Sequence, residues 1–399
     1  MRFFKDLIRT GLVTIAVILA LEGGLRLAQV HYEASLYQDE TERGYALRPN
    51  AQGWSTDQAE VYVRINSDGL RDRERPIARP PHTLRVAVIG SSEVDARQVP
   101  LEKTFEDVLR RDLSRQLEPK GWRADVINFG VPGYTLSQEY LTLRNHVWKY
   151  QPQVVILLFA AFPVLKNTRN FLSSELKGAP IYVLQNGQLV PDEITQHTSP
   201  VDARHRLWKN RLSDLMNRSY LLSMLNTARV KLPGVVEKLH RGEAQAAMPV
   251  MEGWLYNPEQ PDLRESWAIA DAFFEAMKKD CDQHGAEFWI VGSDLGMQIH
   301  PSLAERAAFQ NRLSLNSLDL VDQRLERFGA AHNIPVLALA PPLGDYAVSH
   351  DAFLHGSPIE RNNRGHWNEV GHQVVGDIIA RGLAAKSQVL RDIEADHRQ

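Results

Sequence analysis

The stretch Leu84-Arg85-Val86-Ala87-Val88-Ile89-Gly90-Ser91-Ser92-Glu93 decides the fold. An apolar run of strand length enters a Gly-Ser-Ser turn directly, which predicts a buried strand delivering Ser92 at its carboxyl end. Folds built on parallel sheets gather their chemistry at that edge. Downstream, strand and helix patterns alternate. Thr104, with Asp107 three residues on, caps a helix carrying Phe105, Leu109 and Leu113 on one face. Ala124–Gly130 reads as a second strand, Leu136–Tyr150 as a helix and Val154–Phe159 as a fully buried third strand. After an aperiodic stretch at about 166–262 come a helix over Trp267–His284 and a strand at Phe288–Gly292. A helix at Leu318–Phe328, a strand at Ile334–Leu339 and a last helix at Gly371–Leu383 follow. Continuous apolar strands separated by helices predict an α/β fold, a five-stranded parallel sheet covered on both faces.

The 399 residues, with 43% hydrophobic and 24% charged, suit a globular chain. A net charge of -3 gives no basic field for nucleic acid. One cysteine, Cys281, excludes an internal disulfide framework and a cysteine-based zinc site. The N-terminus differs from the rest. Arg2, Lys5 and Arg9 precede the uncharged run Thr10–Leu21, and no small-x-small cleavage site follows. With Glu22 paired to Arg26 and Arg9 snorkelling, the span extends to about Ile8–Leu27. That predicts an uncleaved signal-anchor at 1–27 with the body on the periplasmic or extracellular side; a cleaved signal peptide and an amphipathic helix are the other readings. Residues 28–83 form a small appended region with a Pro76, Pro80, Pro81 linker. Residues 84–388 form the α/β domain with the 166–262 insertion, and 389–399 a tail.

Three segments converge at the predicted strand ends: Gly90-Ser91-Ser92, the glycine-rich turn Asn128–Thr135, and Asn362-Asn363-Arg364-Gly365-His366-Trp367-Asn368 before the last helix. A serine needs a neighbouring base to attack a carbonyl, and His366 can provide one. In this order and spacing the chain resembles the SGNH/GDSL hydrolases, above all membrane-anchored bacterial members. The likeness spans about 84–160 and 265–385, together with Gly44–Asn50 and Asn66–Arg71. The resemblance implies a flavodoxin-like α/β/α sandwich and cleavage or transfer of acyl esters on lipids, glycans or small molecules. It places Ser92 on the nucleophile, with Ser91 replacing the usual aspartate. It places Gly133 on the oxyanion glycine, near Gly130, and His366 on the general base.

Two positions depart from the family pattern. Phe162 stands where the oxyanion asparagine is expected, and Asn363, followed by Arg364, stands at the triad aspartate. Loss of one oxyanion donor costs about 10²–10³ in turnover, and an Asp-to-Asn change in a serine protease triad cost about 10⁴. Such losses do not simply multiply. Asp345, Asp351 or Glu360 could replace the carboxylate, and Arg364 or Asn167 the oxyanion donor.

Plainer roles stand beside these. Ser92 could satisfy strand-end backbone groups, His366 a backbone carbonyl, Gly130 and Gly133 turn geometry, and Phe162 packing. His350, His355 and His372 read as loop or helix-surface residues and Arg71–Arg75 as a solvated face. Arg364 is either a solvated charge or a carboxylate- or glycan-binding group. No metal or organic cofactor is indicated. Two functions follow: a serine esterase or acyltransferase acting on an acyl, for instance acetyl, ester of a glycan or lipid, or a catalytically silent domain binding polysaccharide or a partner in an envelope assembly. Protein partners are not legible.

Overall fold

The computed structural model describes residues 2–29, 34–56, 58–165, 179–192, 208, 210–213, 216, 218–229, 253, 255–356 and 363–396. Four short strands open the body: β1 (Tyr37–Glu40), β2 (Gly44–Leu47), β3 (Gln52–Ser55) and β4 (Val61–Arg64), paired as two antiparallel hairpins. The central sheet uses β5 (Thr83–Ile89), β6 (Arg123–Asn128), β7 (Val154–Phe159), β10 (Glu287–Gly292) and β11 (Val336–Ala338). A further hairpin, β8 (Tyr182–Gln185) and β9 (Gln188–Pro191), lies in the insertion.

The sheet is wholly parallel, in the order β6-β5-β7-β10-β11, with Val86 beside Val126 and Val154. Counted along the sheet this is the 2-1-3-4-5 order of flavodoxin-like proteins, and the switch in winding direction falls between β5 and β7. Side chains alternate between two cores. Leu84, Val86 and Val88 pack under helices Phe105–Leu117 and Glu369–Lys386, while Ala87 and Ile89 face helix Arg264–Gln283 through Phe273 and Phe274. Burial on both faces is why these strands read as unbroken apolar runs.

Several boundaries differ from the sequence reading. The helix expected over Leu136–Tyr150 is helical to Thr142, then widens into a π-type turn at Leu143–Val147. The fifth strand shortens to Val336–Ala338, because helix Ala340–His350 begins at once. The Arg71–Arg75 run is not a solvated face. Arg71 is buried and donates to the carbonyls of Asp95 and Val99, both at 2.6 Å, while Arg75 joins Asp72 to the Val126 carbonyl. Charge in a sequence does not reveal that backbone carbonyls will receive it.

The appended hairpins rest on the glycine-rich turn. Val61, Val63 and Ile65 share a core with Val131 and Tyr134, and the Tyr45 hydroxyl donates to the Pro132 carbonyl at 2.8 Å. Thus the N-terminal region is packed against the edge where the strands end.

Candidate active site

Ser92 is the first residue of the short helix Ser92–Asp95, which follows β5 at the switch point. Its Oγ lies 2.7 Å from His366 Nε2. The two residues are 274 positions apart and meet because β5 and the loop before helix Glu369–Lys386 end on the same side of the sheet; that helix is not the last, since the expected tail forms helix Gln388–Asp396 with Leu390 and Ile393 in the core. They line a pocket of about 370 Å³ with Ser91, Glu93, Gly133, Glu139, Phe162, Asp294 and His355. For His366 to take the serine proton, Nε2 must be bare and the ring proton must stand on Nδ1. Gln58, from the turn between β3 and β4, reaches over this edge. Its carboxamide nitrogen is 2.5 Å from His366 Nδ1, and its oxygen accepts the His366 backbone N–H at 3.0 Å. With the backbone N–H fixing the carbonyl, the Gln58 amide donates to Nδ1, so removal of the Ser92 proton by Nε2 requires this carboxamide to release the ring.

The segment bearing His366 is pinned on both sides by one buried carboxylate. Asp294, just beyond β10, has Oδ2 at 2.7 Å from His355 Nε2 and accepts the Trp367 indole N–H on Oδ1 at 2.8 Å. The other ring nitrogen of His355, Nδ1, sits 2.7 Å from the carbonyl of Gly365. A carbonyl only accepts, so the Nδ1–H is the donor there. Gly365 and Trp367, the two neighbours of His366 in the chain, are therefore both tied to Asp294. Burial by itself would strip the proton from His355, but the charge and hydrogen bond of Asp294, aided by Glu93 and the Gly365 carbonyl, hold its pKa up at about 9. Glu93 accepts the Trp367 backbone N–H at 3.3 Å, and burial lifts its pKa to about 7. His372 is also buried. Its Nδ1 accepts the Phe105 N–H, and burial, with Arg71, His355 and His366 nearby, depresses its pKa to about 3. His355 and His372 are thus interior groups, contrary to the surface position expected for them.

The expected site residues are not all at the pocket. Asn363 does not face His366. It adopts a left-handed backbone with φ 48°, and its side chain clips the loop, accepting the N–H groups of Leu354 and His355 and donating to the Gly296 carbonyl at 2.6 Å. Gly133 lines the pocket with φ 80°, but its N–H donates to the Ser91 hydroxyl at 3.0 Å. Gly130 is buried beneath the nucleophile turn, where a Cβ would sit 2.4 Å from the Asp95 nitrogen. Its N–H goes to Asn128 Oδ1, and the Asn128 amide in turn holds the Val94 carbonyl at 2.5 Å. Arg364 is exposed and off the pocket lining. Asp345 and Asp351 are exposed at the far part and end of helix Ala340–His350 and do not line the pocket. Asn167 and Glu360 lie outside the described residues. At the first helical position the Ser92 N–H has no intrahelical acceptor.

Gln58, Asp294 and His355 were missed by the sequence reading. Asp294 follows Gly292-Ser293 at the end of the fourth strand, so a carboxylate at that strand end was the available signal. Gln58 carried none.

No family model matches the chain, and no curated protein matches its sequence. Among solved structures, the chain is similar to several esterases and lipases, one of them described as a putative lipolytic protein of the G-D-S-L family. One is a lipase/acylhydrolase from Enterococcus faecalis, 16% identical, with 75% of this chain and 95% of that one covered and a TM-score of 0.33. Another is an acetylxylan esterase from Geobacillus stearothermophilus, solved as a catalytic mutant, at 9% identity, 75% and 93% coverage and a TM-score of 0.37. A two-domain esterase active on acetylated mannans is 10% identical over 76% of this chain and 49% of that one, with a TM-score of 0.37.

Proposed function

We propose that this chain is a serine ester hydrolase or acyltransferase of the SGNH type, working on acyl esters of a glycan or lipid outside the cytoplasm. The observation that carries the reading is the 2.7 Å contact between Ser92 Oγ and His366 Nε2 at the sheet's switch point, inside a pocket. Ser92 Oγ attacks the acyl carbon as His366 Nε2 takes its proton. The tetrahedral oxyanion falls to the Ser92 N–H and, once released from Ser91, the Gly133 N–H. The C–O bond to the leaving alcohol breaks as His366 returns the proton to that alcohol. Water or an acceptor hydroxyl then removes the acyl group from Ser92 by the same steps in reverse.

Within the N-terminal helix Arg2–Leu27, the candidate span Phe4–Leu27 holds an 18-residue window of mean hydropathy 1.7, none of it buried in the protein. We read it as the anchor, with the body on the periplasmic or extracellular side.

A silent binding domain is the second reading, favoured by Phe162 at the pocket and by a Gly133 N–H already taken by Ser91. Intact-mass analysis after fluorophosphonate treatment separates the two. A single adduct, lost in Ser92→Ala and slowed at least 100-fold in His366→Ala, supports catalysis; a folded protein that takes no adduct supports binding.

A further inference from the structure

The uncharged run Thr10–Leu21 has 12 residues, a helical rise of about 18 Å. A hydrocarbon core is about 30 Å thick. If the helix crosses a bilayer over about Ile8–Leu27, as the anchor reading has it, Glu22 falls inside the hydrocarbon toward its far boundary, where a bare carboxylate is costly. Glu22 is not bare. Its carboxylate accepts the Ser219 hydroxyl at 2.8 Å and the N–H groups of Tyr220 and Leu221, both at 3.0 Å, and pairs with Arg26 at 2.7 Å. These are the orphan donors that open the helix over 220–229. Arg26 adds a bond to the Arg218 carbonyl at 2.8 Å and stacks over the Tyr220 ring at 4.9 Å.

The insertion helix is therefore held at the depth of Glu22. Its apolar side chains are left open: Leu222 is 39% and Leu225 54% exposed. Just upstream, Leu212 is 55% and Trp208 73% exposed. Asn210, between them, is fixed to the body through both the N–H and the carbonyl of Asp39. Arg211, Arg218 and Arg229 are exposed on the same stretches, as suits lipid headgroups. Large apolar groups are exposed elsewhere on the body too, Leu303 among them, but four of them within 208–225 suit a headgroup–acyl boundary, which accepts leucine and tryptophan.

We infer that helix 220–229, with Leu212 and Trp208, is a second membrane contact, lying in the surface of the bilayer that the N-terminal helix crosses. This rests on the anchor reading. The body is then tethered at two points and cannot swing freely about the end of the span.

The test uses the full chain in phospholipid nanodiscs with single spin labels at Leu225→Cys and Leu212→Cys. Cys281, buried in the core, is left in place. Labels at Leu19→Cys and Tyr62→Cys serve as lipid and water references. Power saturation compares collision with oxygen, which partitions into lipid, and with a water-soluble nickel chelate. The expected result is an oxygen-to-nickel ratio at 225 and 212 at least threefold above that at 62. Glu22→Ala should return 225 toward the value at 62 and leave 19 unchanged; no change at 225 would overturn the anchoring role of Glu22. Ratios at 225 and 212 equal to that at 62, with 19 in lipid, would overturn the inference and keep the anchor. Protection from both reagents would mean that protein covers the face, and would overturn it too. A water-exposed label at 19 would remove the anchor reading and this inference together.

Discussion

Asp294→Asn tests whether the support of His366 is built as described. The side chain keeps its shape and can still accept the Trp367 indole, but it loses the charge that faces His355. In the folded protein His355 holds its proton from the ordinary 6.5 up to about 9, which corresponds to about 3 kcal/mol of stabilisation. The pKa is raised on folding, so this contribution is complete below pH 6.5 and is lost as the pH climbs through 9. Glu93 and Asp322, both raised to about 7 by burial, lose their contributions as the pH rises to 7. Glu106 and Glu139, raised well above the carboxylate range by burial, also lose stability as the pH rises, so the part that belongs to His355 is the difference between the wild type and Asp294→Asn. Urea unfolding of the detergent-solubilised chain, followed by tryptophan fluorescence, should show the wild type losing about 3 kcal/mol more than Asp294→Asn from pH 6.5 to 9.5. In Asp294→Asn the buried imidazolium has lost its partner, a defect worth about 3–5 kcal/mol when a buried pair is broken. The variant should be weaker at pH 6.5, fall less steeply than the wild type from pH 7 to 9, and lie close to it at pH 9.5. A variant with the wild-type slope in that interval would refute the assignment of the proton to His355.

Two further variants address the pocket, both read as the second-order rate of fluorophosphonate labelling at Ser92. Ser91→Ala removes the hydroxyl that occupies the Gly133 N–H; freeing one donor, worth about 1 kcal/mol net, should raise the rate about fivefold, and an unchanged rate would mean that Gly133 does not serve the oxyanion. Gln58→Leu removes both contacts to His366 and so releases the ring; the rate should rise about tenfold with no change in unfolding midpoint, and equal rates would reduce Gln58 to a surface contact.

The sheet and the nucleophile were legible because their signals are local. Val86 to Ile89 is apolar without a break, and a glycine with two serines must turn. What was not legible depends on partners far along the chain. Asn363 sits at the spacing expected of a triad acid, yet its positive φ turns the side chain into the loop, a feature that spacing cannot express. His355 looked like any loop histidine until Asp294, 61 residues earlier, closed on it. Gln58 reaches His366 across 308 positions from a hairpin that read as an appendage.

The distribution of what is kept at this site argues for a specific division of labour. The proton-transfer half is intact in geometry: nucleophile and base are in contact, and the chain on either side of the base is tied to one carboxylate. A buried ion pair is a poor source of stability compared with apolar packing, but it fixes orientation well. Asp294 and His355 accordingly make better sense as supports for His366 than as ballast for the core. The charge-stabilising half is thinner, with Phe162 bringing no donor and Ser91 engaging the Gly133 N–H. Those two features act on the same oxyanion, and one has a reversible remedy. An acyl oxygen that displaces the Ser91 hydroxyl recovers the Gly133 donor at the cost of one exchanged hydrogen bond. On the proposed reaction, turnover depends on how well the acyl group competes with Ser91, which adds Ser91 to Ser92 and His366 as a residue on which acyl selectivity would turn.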